Sequence, residues 1–372
     1  MTQEKKYVLQ LCHGYATPFT DVARQYASLF NDTDYHVVTV YLTGEANDNV
    51  IIQSASDTVL FLENNSNDIK GLKLKQIKQV KQLHAHYHFE FIIAHRYKPI
   101  YIACHLKGIS VIGIHHAFDI YNRFMRCFFA SRHQKQLFLL GVSNAIRDDI
   151  RKHLPSFPQQ KIQTLYNRIN SEQLKAQQLD RSSARQKLDL PHDHYIFANV
   201  GRLHPDKDQK VLIDAFAKIA NDLPDSLLVI LGKGKLEQKL KQQASQLGLT
   251  KRVLFLGMVP NAVQYFRAFD SFVLSSNFEP FGMVLLEAII ADLPVIATKA
   301  GGAEEIITKS DWLFNVGDSD RLSTLMIQVY GLSQDEKKAI NQENMQWLEA
   351  NFTDQAVKNT FWNLACLAHF KR

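Results

Sequence analysis

The sequence predicts an α/β protein with two Rossmann-like domains, each a parallel sheet covered by helices, facing each other across a cleft. Three observations lead there. Short apolar runs alternate with helical stretches along almost all of the 372 residues. This β-α-β-α grammar pauses near Asn170 and restarts at Tyr195. The composition, 46% hydrophobic and 22% charged, is that of a globular chain long enough to bury sizeable cores without staples.

In the first domain, taken as 1–169, the runs 7–12, 35–42, 58–62, 91–94, 111–114 and 138–142 are short and rich in Val, Ile, Leu and aromatics. That is the pattern of strands buried on both faces. Helical patterns at 19–30 and 72–86 separate them, and 144–154 reads as a helix stopped by Pro155. The polar stretch 170–194 is expected to be a linker and the first helix of the second domain, 170–351. There the strands are 195–200, 226–231, 253–255, 271–274 and 294–298, with helices at 209–220, 236–247, 262–268 and 283–291 between them. The tail from Asn341 is helical, with Trp347, Phe352, Phe361 and Trp362 spaced for packing, and a helix over about 352–372 suits a return to the first domain. In such sheets ligands bind beyond the carboxyl ends of the strands.

Cys12, Cys104, Cys127 and Cys366 lie far apart, which gives neither a zinc spacing nor a disulfide framework and fits a reducing compartment. The start is too short in apolar residues for a signal peptide, and no run is long enough to span a membrane. The net charge of +6 is uneven: residues 1–170 carry 20 Lys/Arg against 13 Asp/Glu, and the rest is near balance. Such asymmetry points to an anionic partner. A nucleic acid is not expected, because no aromatic–basic interleaving or known motif accompanies the charge.

Two motifs carry chemistry. In Asn199-Val-Gly-Arg-Leu-His-Pro-Asp-Lys-Asp-Gln209, Gly201 and Arg202 end a strand and Lys207 follows just before a helix. A planar guanidinium and a point-charge ammonium can clamp different oxygens of a pyrophosphate. In Ser275-Ser-Asn-Phe-Glu-Pro-Phe-Gly-Met-Val-Leu-Leu-Glu287, Pro280 and Gly282 delay the helix to about Met283. The amides of Phe281, Gly282, Met283 and Val284 then favour an anion. Glu279 in the loop and Glu287 in the helix, beside that anion site, suit hydroxyl groups: a sugar and a ribose joined by a pyrophosphate. His115-His116 and His95-Arg96-Tyr-Lys98 sit at carboxyl strand ends in the first domain. The latter group could bind acceptor phosphates. His84-x-His86-x-His88 closes a helical pattern without a carboxylate or Cys partner, so no metal is expected there. Asp318-Ser-Asp320 reads as a turn and helix cap. Gly232-Lys-Gly234 is a lone G-x-G, and no phosphate-loop motif of NTPases occurs.

Together, Gly201-Arg-Leu, Lys207-Asp208, Glu279-Pro-Phe-Gly…Glu287, Pro294-Val-Ile-Ala-Thr and Gly301-Gly-Ala-Glu-Glu-Ile resemble the retaining GT-B glycosyltransferases of family 4, the "group 1" glycosyltransferases. The resemblance is strong over 195–320 and weaker before it. Cys12-His13-Gly14-Tyr15 stands where the wider family often has a Gly-Gly pair, so Gly14 is the donor-binding counterpart. Stretches such as His95-Arg-Tyr-Lys-Pro-Ile-Tyr and Gly113-Ile-His-His-Ala-Phe are similar to enzymes that build the core of bacterial lipopolysaccharide. The resemblance implies a hexosyltransferase without a cofactor or metal, using a nucleotide-diphosphate sugar, a UDP-sugar above all. The acceptor is a glycan or glycolipid, either lipid-linked or lipopolysaccharide core. Arg202 and Lys207 would neutralise the leaving diphosphate, Glu279 hold the donor sugar, Glu287 the ribose, and His115 or His116 lie near the sugar. A cytoplasmic protein is implied, with peripheral contact at the anionic inner face of the inner membrane through lysines of 72–83. A nucleotide-sugar epimerase or hydrolase of the same fold is the alternative.

Overall fold

A computed structural model describes residues 5–16, 19–368 and 370. It divides into two compact units, one of 1–167 with 354–372 and one of 168–353. The first holds seven strands: β1 (Lys6–Cys12), β2 (Tyr35–Thr43), β3 (Thr58–Asn64), β4 (Phe91–His95), β5 (Ser110–His115), β6 (Leu137–Gly141) and β7 (Ile162–Thr164). Their order is β3-β2-β1-β4-β5-β6-β7, and every pairing is parallel. Val8 to Cys12 and all of β4 are buried, as strands with helices on both faces must be.

The second unit holds β8 (Tyr195–Val200), β9 (Ser226–Leu231), β10 (Val253–Gly257), β11 (Ser271–Leu274), β12 (Val295–Thr298) and β13 (Leu313–Phe314) in the order β10-β9-β8-β11-β12-β13, again parallel. Its core packs Phe197, Leu228, Ile230, Val273 and Ile296 of the sheet against Phe216 and Leu325 of the covering helices. This two-sheet architecture is the expected α/β fold.

Several elements differ from the sequence expectation. The edge strand β7, only three residues long, and the helices Tyr97–Ala103 and Phe124–Arg132 were not foreseen. Pro99 is tolerated because it falls in the first turn of its helix, where the amide has no intrahelical partner. The segment Ala262–Ala268 is a 3-10 helix rather than an α-helix. Its tighter winding sets Phe266, fully buried, against Phe272 with ring centroids 5.8 Å apart. The linker folds as two helices, Ser171–Gln177 and Arg181–Lys187, capped by Asn170 and Asp180.

The tail packs on the first unit. Trp362 stacks on Tyr35 at 5.7 Å and its indole donates to the Leu29 carbonyl at 3.0 Å, while Phe361 meets Phe30 at 5.6 Å. Among the described residues no helix is long and apolar enough to cross a membrane.

Candidate functional site

The order of the second sheet reverses between β8 and β11. Such a reversal leaves a crevice beyond the carboxyl ends of the two strands. The chain leaves β8 through Gly201–Lys207 and leaves β11 through Ser275–Glu279, so both sequence motifs meet there. Lys207 Nζ donates to Glu279 Oε2 at 2.7 Å, and Ser276 Oγ donates to the same oxygen at 3.1 Å. Ser275 Oγ donates to the Lys207 carbonyl at 2.9 Å, and the Asn277 amide donates to the Asp206 carbonyl at 2.9 Å. The side chains of Lys207 and Glu279 are 19% and 9% exposed, which puts the pair in the class of buried rather than surface ion pairs. The ammonium keeps two N–H groups beyond the one given to Glu279.

Three glycines let these loops approach. At Gly232, with φ +142°, a Cβ would lie 1.9 Å from the Gly201 carbonyl oxygen, and at Gly234 one would lie 2.3 Å from that of Leu203. The G-x-G pair is thus the backing of the Gly201–Leu203 loop. At Gly302 a Cβ would come within 2.5 Å of Phe281 Cα, and the Gly302 amide donates to the Glu279 carbonyl at 2.9 Å. Gly201 itself is open towards Lys207, whose nearest side-chain atoms stand 3.8 Å from where a Cβ would be.

Arg202 is 72% exposed and held by Asp206 at 3.0 Å, while Asp206 also accepts from His204 Nδ1 at 2.6 Å. The helix Met283–Ile290 begins at Gly282, with φ +107°, and the Leu285 amide closes its first turn on the Gly282 carbonyl at 2.9 Å. The amides of Met283 and Val284 precede that closure. Met283, Val284 and Glu287 are the partly exposed positions of this helix, and the rest of it is buried. Glu287 therefore stands one turn above those amides on the same accessible face. The Phe281 side chain is a core anchor, 2% exposed and edge-on to Phe352 at 5.6 Å. Any contact it makes with a ligand is through its backbone.

The first sheet reverses between β1 and β4. His13 and Gly14 follow β1, and Arg96 and Lys98 follow β4. A Cβ at Gly14 would fall 2.6 Å from Thr43 Oγ1, which itself donates to the His13 carbonyl at 2.7 Å. Gly14 is thus required for packing between the loops after β1 and β2. Arg96 adopts φ +73°, its guanidinium lies 4.7 Å from the centre of the Phe19 ring, and among the described residues it has no acidic partner. Burial, then the charges of Arg96 and Lys70, lowers the Lys98 pKa. Burial, then Arg96 and Lys98, lowers that of His13. These shifts mark a group of cations without a balancing acid.

His95 departs from its expected place among exposed cations. It is 2% exposed, edge-on to Tyr26 at 4.6 Å, and burial holds its pKa well below the ordinary value, so the ring is neutral at pH 7. The histidine pair at the end of β5 is likewise resolved. His115 is 1% exposed and bonds Tyr121 Oη through Nε2 at 3.2 Å. His116 is partly exposed, with its ring stacked on that of His95 at 5.7 Å. Burial pushes their pKa values down to about 3 and about 4, so both are neutral donors or acceptors.

Of the residues set aside for metal, His84 and His86 lie on a helix and His88 ends it in a left-handed turn. Asp119, in the loop after β5, brings a ligand atom within 4.8 Å of those of Asp149 and His153. Asp318 caps the helix Ser319–Tyr330 by accepting from the Arg321 amide at 2.8 Å. Ser275, Ser276, His204 and Asp206 are site residues that the sequence reading passed over. Small polar residues directly after a buried strand were the available signal.

Residues 180–346 match the sequence profile "Glycosyl transferases group 1". The chain is 28% identical over 182 residues to the lipopolysaccharide core biosynthesis glycosyltransferase LpsE of Rhizobium meliloti, covering 48% of this chain and 52% of that one. Matched stretches span about a third to a half of the curated relatives' own lengths. A glycosyltransferase of Rickettsia africae superposes with a TM-score of 0.83 at 17% identity, over 96% of this chain and 97% of that one. HepE of Anabaena, in complex with UDP, superposes with a TM-score of 0.80 at 21% identity, over 95% and 98%. At these identities the likeness shows the fold, and that fold is GT-B.

Proposed function

We propose that the protein is a glycosyltransferase that moves a hexose from a nucleotide-diphosphate sugar to a glycan or glycolipid acceptor, with retention at the anomeric carbon. The observation that carries this reading is the Lys207–Glu279 pair, set at the sheet reversal within the stretch that matches group 1 glycosyl transferases. A carboxylate fixed by an ammonium and a serine hydroxyl accepts sugar hydroxyls in a defined geometry. The remaining ammonium donors and the exposed Arg202 meet the diphosphate. The Met283 and Val284 amides add a second anion cradle, and Glu287 on the same face accepts ribose hydroxyls.

The chemistry asked of the protein is positioning and charge stabilisation as the carbon–oxygen bond to the diphosphate breaks and the acceptor hydroxyl adds. In a front-face reaction the leaving phosphate oxygen takes the acceptor's proton. The protein then supplies no base, which fits His115 and His116, whose burial-lowered pKa values make both imidazoles weak bases. Of the two, we assign the ligand-accessible role to His116. We take the donor to be a UDP-sugar, as the UDP complex of the similar HepE suggests. We take the acceptor to be lipid-linked or lipopolysaccharide core, after the name of the similar LpsE.

Arg96 and Lys98 are proposed to bind acceptor phosphate. For the anionic bilayer surface, Lys75, Lys78 and Lys81 form an exposed face of the helix Leu74–Tyr87. Lys73 instead packs on Tyr101 at 4.7 Å. Phe124, Met125 and Phe128, which are 79%, 69% and 58% exposed beside Arg123, add an apolar surface suited to the same interface.

The test is nucleoside diphosphate release in EDTA from UDP-, GDP- and ADP-sugars, with and without lipopolysaccharide core or membrane lipid extract. Acceptor-dependent release from one donor is expected. Release that ignores the acceptor would favour the hydrolase alternative, and restoration by Mg²⁺ alone would remove the metal-independent reading.

A further inference from the structure

Arg202 is held at both ends. Its carbonyl accepts from the His204 amide at 2.9 Å and from Nε2 of the fully buried Gln209 at 3.0 Å. Its guanidinium reaches into solvent, yet Nη2 donates to Asp206 Oδ2 at 3.0 Å, and among the described residues no other side chain bonds it. An exposed ion pair between two free side chains orders little.

The Asp206 carboxylate is not free. Its other oxygen, Oδ1, accepts from His204 Nδ1 at 2.6 Å, so donors meet it on both sides. The backbone that carries it is the 3-10 turn Pro205–Lys207, with φ preset at Pro205. That turn is tied to the loop after β11. The Asp206 carbonyl accepts from the Asn277 amide at 2.9 Å, and the Pro205 carbonyl from Asn277 Nδ2 at 3.2 Å. Asp206 is thus a stationary anchor for a mobile guanidinium, and the next residue, Lys207, is the partner of Glu279. One turn sets both cations of the crevice.

An unrestrained arginine loses rotamer freedom when it binds, and ordering it beforehand removes that cost. With one of its five N–H groups given to Asp206, four remain for phosphate oxygens. A bare carboxylate beside a diphosphate would repel it, but this one is met by a donor on each oxygen. We propose that Asp206 is a positioning residue for the donor: it does not touch the nucleotide but holds Arg202 ready for the diphosphate. The role rests on the reading of this crevice as the donor site.

Calorimetric titration of the full chain with UDP, GDP and ADP selects the diphosphate bound most tightly. Its affinity is then measured in Asp206→Asn, Arg202→Gln and the double variant. Asp206→Asn should weaken binding by about three- to fivefold, the upper part of what an exposed ion pair contributes. Asp206→Ser, which removes the charge with a smaller side chain, should repeat the loss. In the Arg202→Gln background, Asp206→Asn should change the affinity by less than about 1.5-fold, because the group it positions is gone. Equal weakening with and without Arg202 marks a structural effect on the turn and overturns the proposal. Unchanged or tighter binding in Asp206→Asn, with wild type binding normally, overturns the role of Asp206 alone. Wild type that binds none of the three diphosphates overturns the donor-site reading and this role with it.

Discussion

Lys207→Ala separates two roles that the geometry gives one side chain. In the folded protein the ammonium holds the Glu279 carboxylate at 2.7 Å, and that side chain is 9% exposed. Without Lys207, Ser276 alone donates to the carboxylate, at 3.1 Å. Breaking a fully buried pair costs about 3–5 kcal/mol; the 19% exposure of Lys207 admits some water, so about 2–3 kcal/mol is expected here. Removing both partners leaves no stranded charge. Lys207→Ala with Glu279→Ala should therefore be less destabilising than the sum of the single changes, with a coupling of about 1–2 kcal/mol. In the proposed reaction the same ammonium meets charge building on the leaving diphosphate. Loss of one such contact lowers turnover by about 10²–10³. Urea unfolding of the four members of the cycle reads the first role. Turnover, measured well below the unfolding midpoint of each variant, reads the second. Additive destabilisation would contradict the pair as described. A folded Lys207→Ala protein with near wild-type kcat would remove Lys207 from the chemistry.

Gly232→Ala places a methyl 1.9 Å from the Gly201 carbonyl at φ +142°, so it should destabilise the second unit by about 2–4 kcal/mol in denaturant unfolding, and an unchanged midpoint would show that the loops are not packed this way. Glu287→Gln should raise the donor KM more than it lowers kcat, because ribose contacts change little along the reaction; a pure kcat effect would refute that role. His115 and His116 have folded-state pKa values of about 3 and about 4, below their ordinary 6.5, so the unfolded chain takes up protons first on acidification. Their contribution is complete above about pH 6.5 and is lost as pH falls towards 4. The melting temperature of the first unit should drop across that window, and His115→Gln should flatten the slope; a flat wild-type profile is the contrary result. Lastly, salt-reversible co-sedimentation with vesicles containing anionic lipid should be lost in Lys75/Lys78/Lys81→Glu, and equal amounts of wild type and variant in the supernatant at low salt would end the membrane reading.

The sheet cores were legible because a strand buried on both faces is written as an unbroken apolar run. Tyr195–Val200, Ser226–Leu231 and Ser271–Leu274 carry that signal at every position but one each, the buried Asn199, Ser226 and Ser271. Short edge elements such as β7 have too few residues to show a period. The helix Phe124–Arg132 was obscured because its exposed side carries Phe124, Met125 and Phe128, which inverts the usual amphipathic pattern.

In the candidate site, residue types at strand ends located Lys207 and Glu279, but their pairing is a tertiary fact. Chain separation of 72 residues leaves no local trace of it. The same holds for Arg185, fully buried, which gathers the carbonyls of Ala268, Pro191, His192 and His194 and the carboxylate of Asp270. From sequence it is one more basic residue in a polar helix. His95 shows the opposite failure: a polar residue at a strand end reads as accessible, and only the ring of Tyr26 and the stack on His116 reveal that it is enclosed.

The proposed function requires the crevice after β8 and β11 to bind a nucleotide-diphosphate sugar. A thermal-shift screen of UDP-, GDP- and ADP-sugars, run in parallel on wild type and Glu279→Gln, tests it most directly. A donor at about 100 times its Kd should stabilise the wild type by about 2.7 kcal/mol. Such a shift is expected for one nucleotide class, UDP-sugars first, and a clearly smaller one for Glu279→Gln with the same donor. No shift with any donor, or equal shifts in wild type and Glu279→Gln, would contradict it.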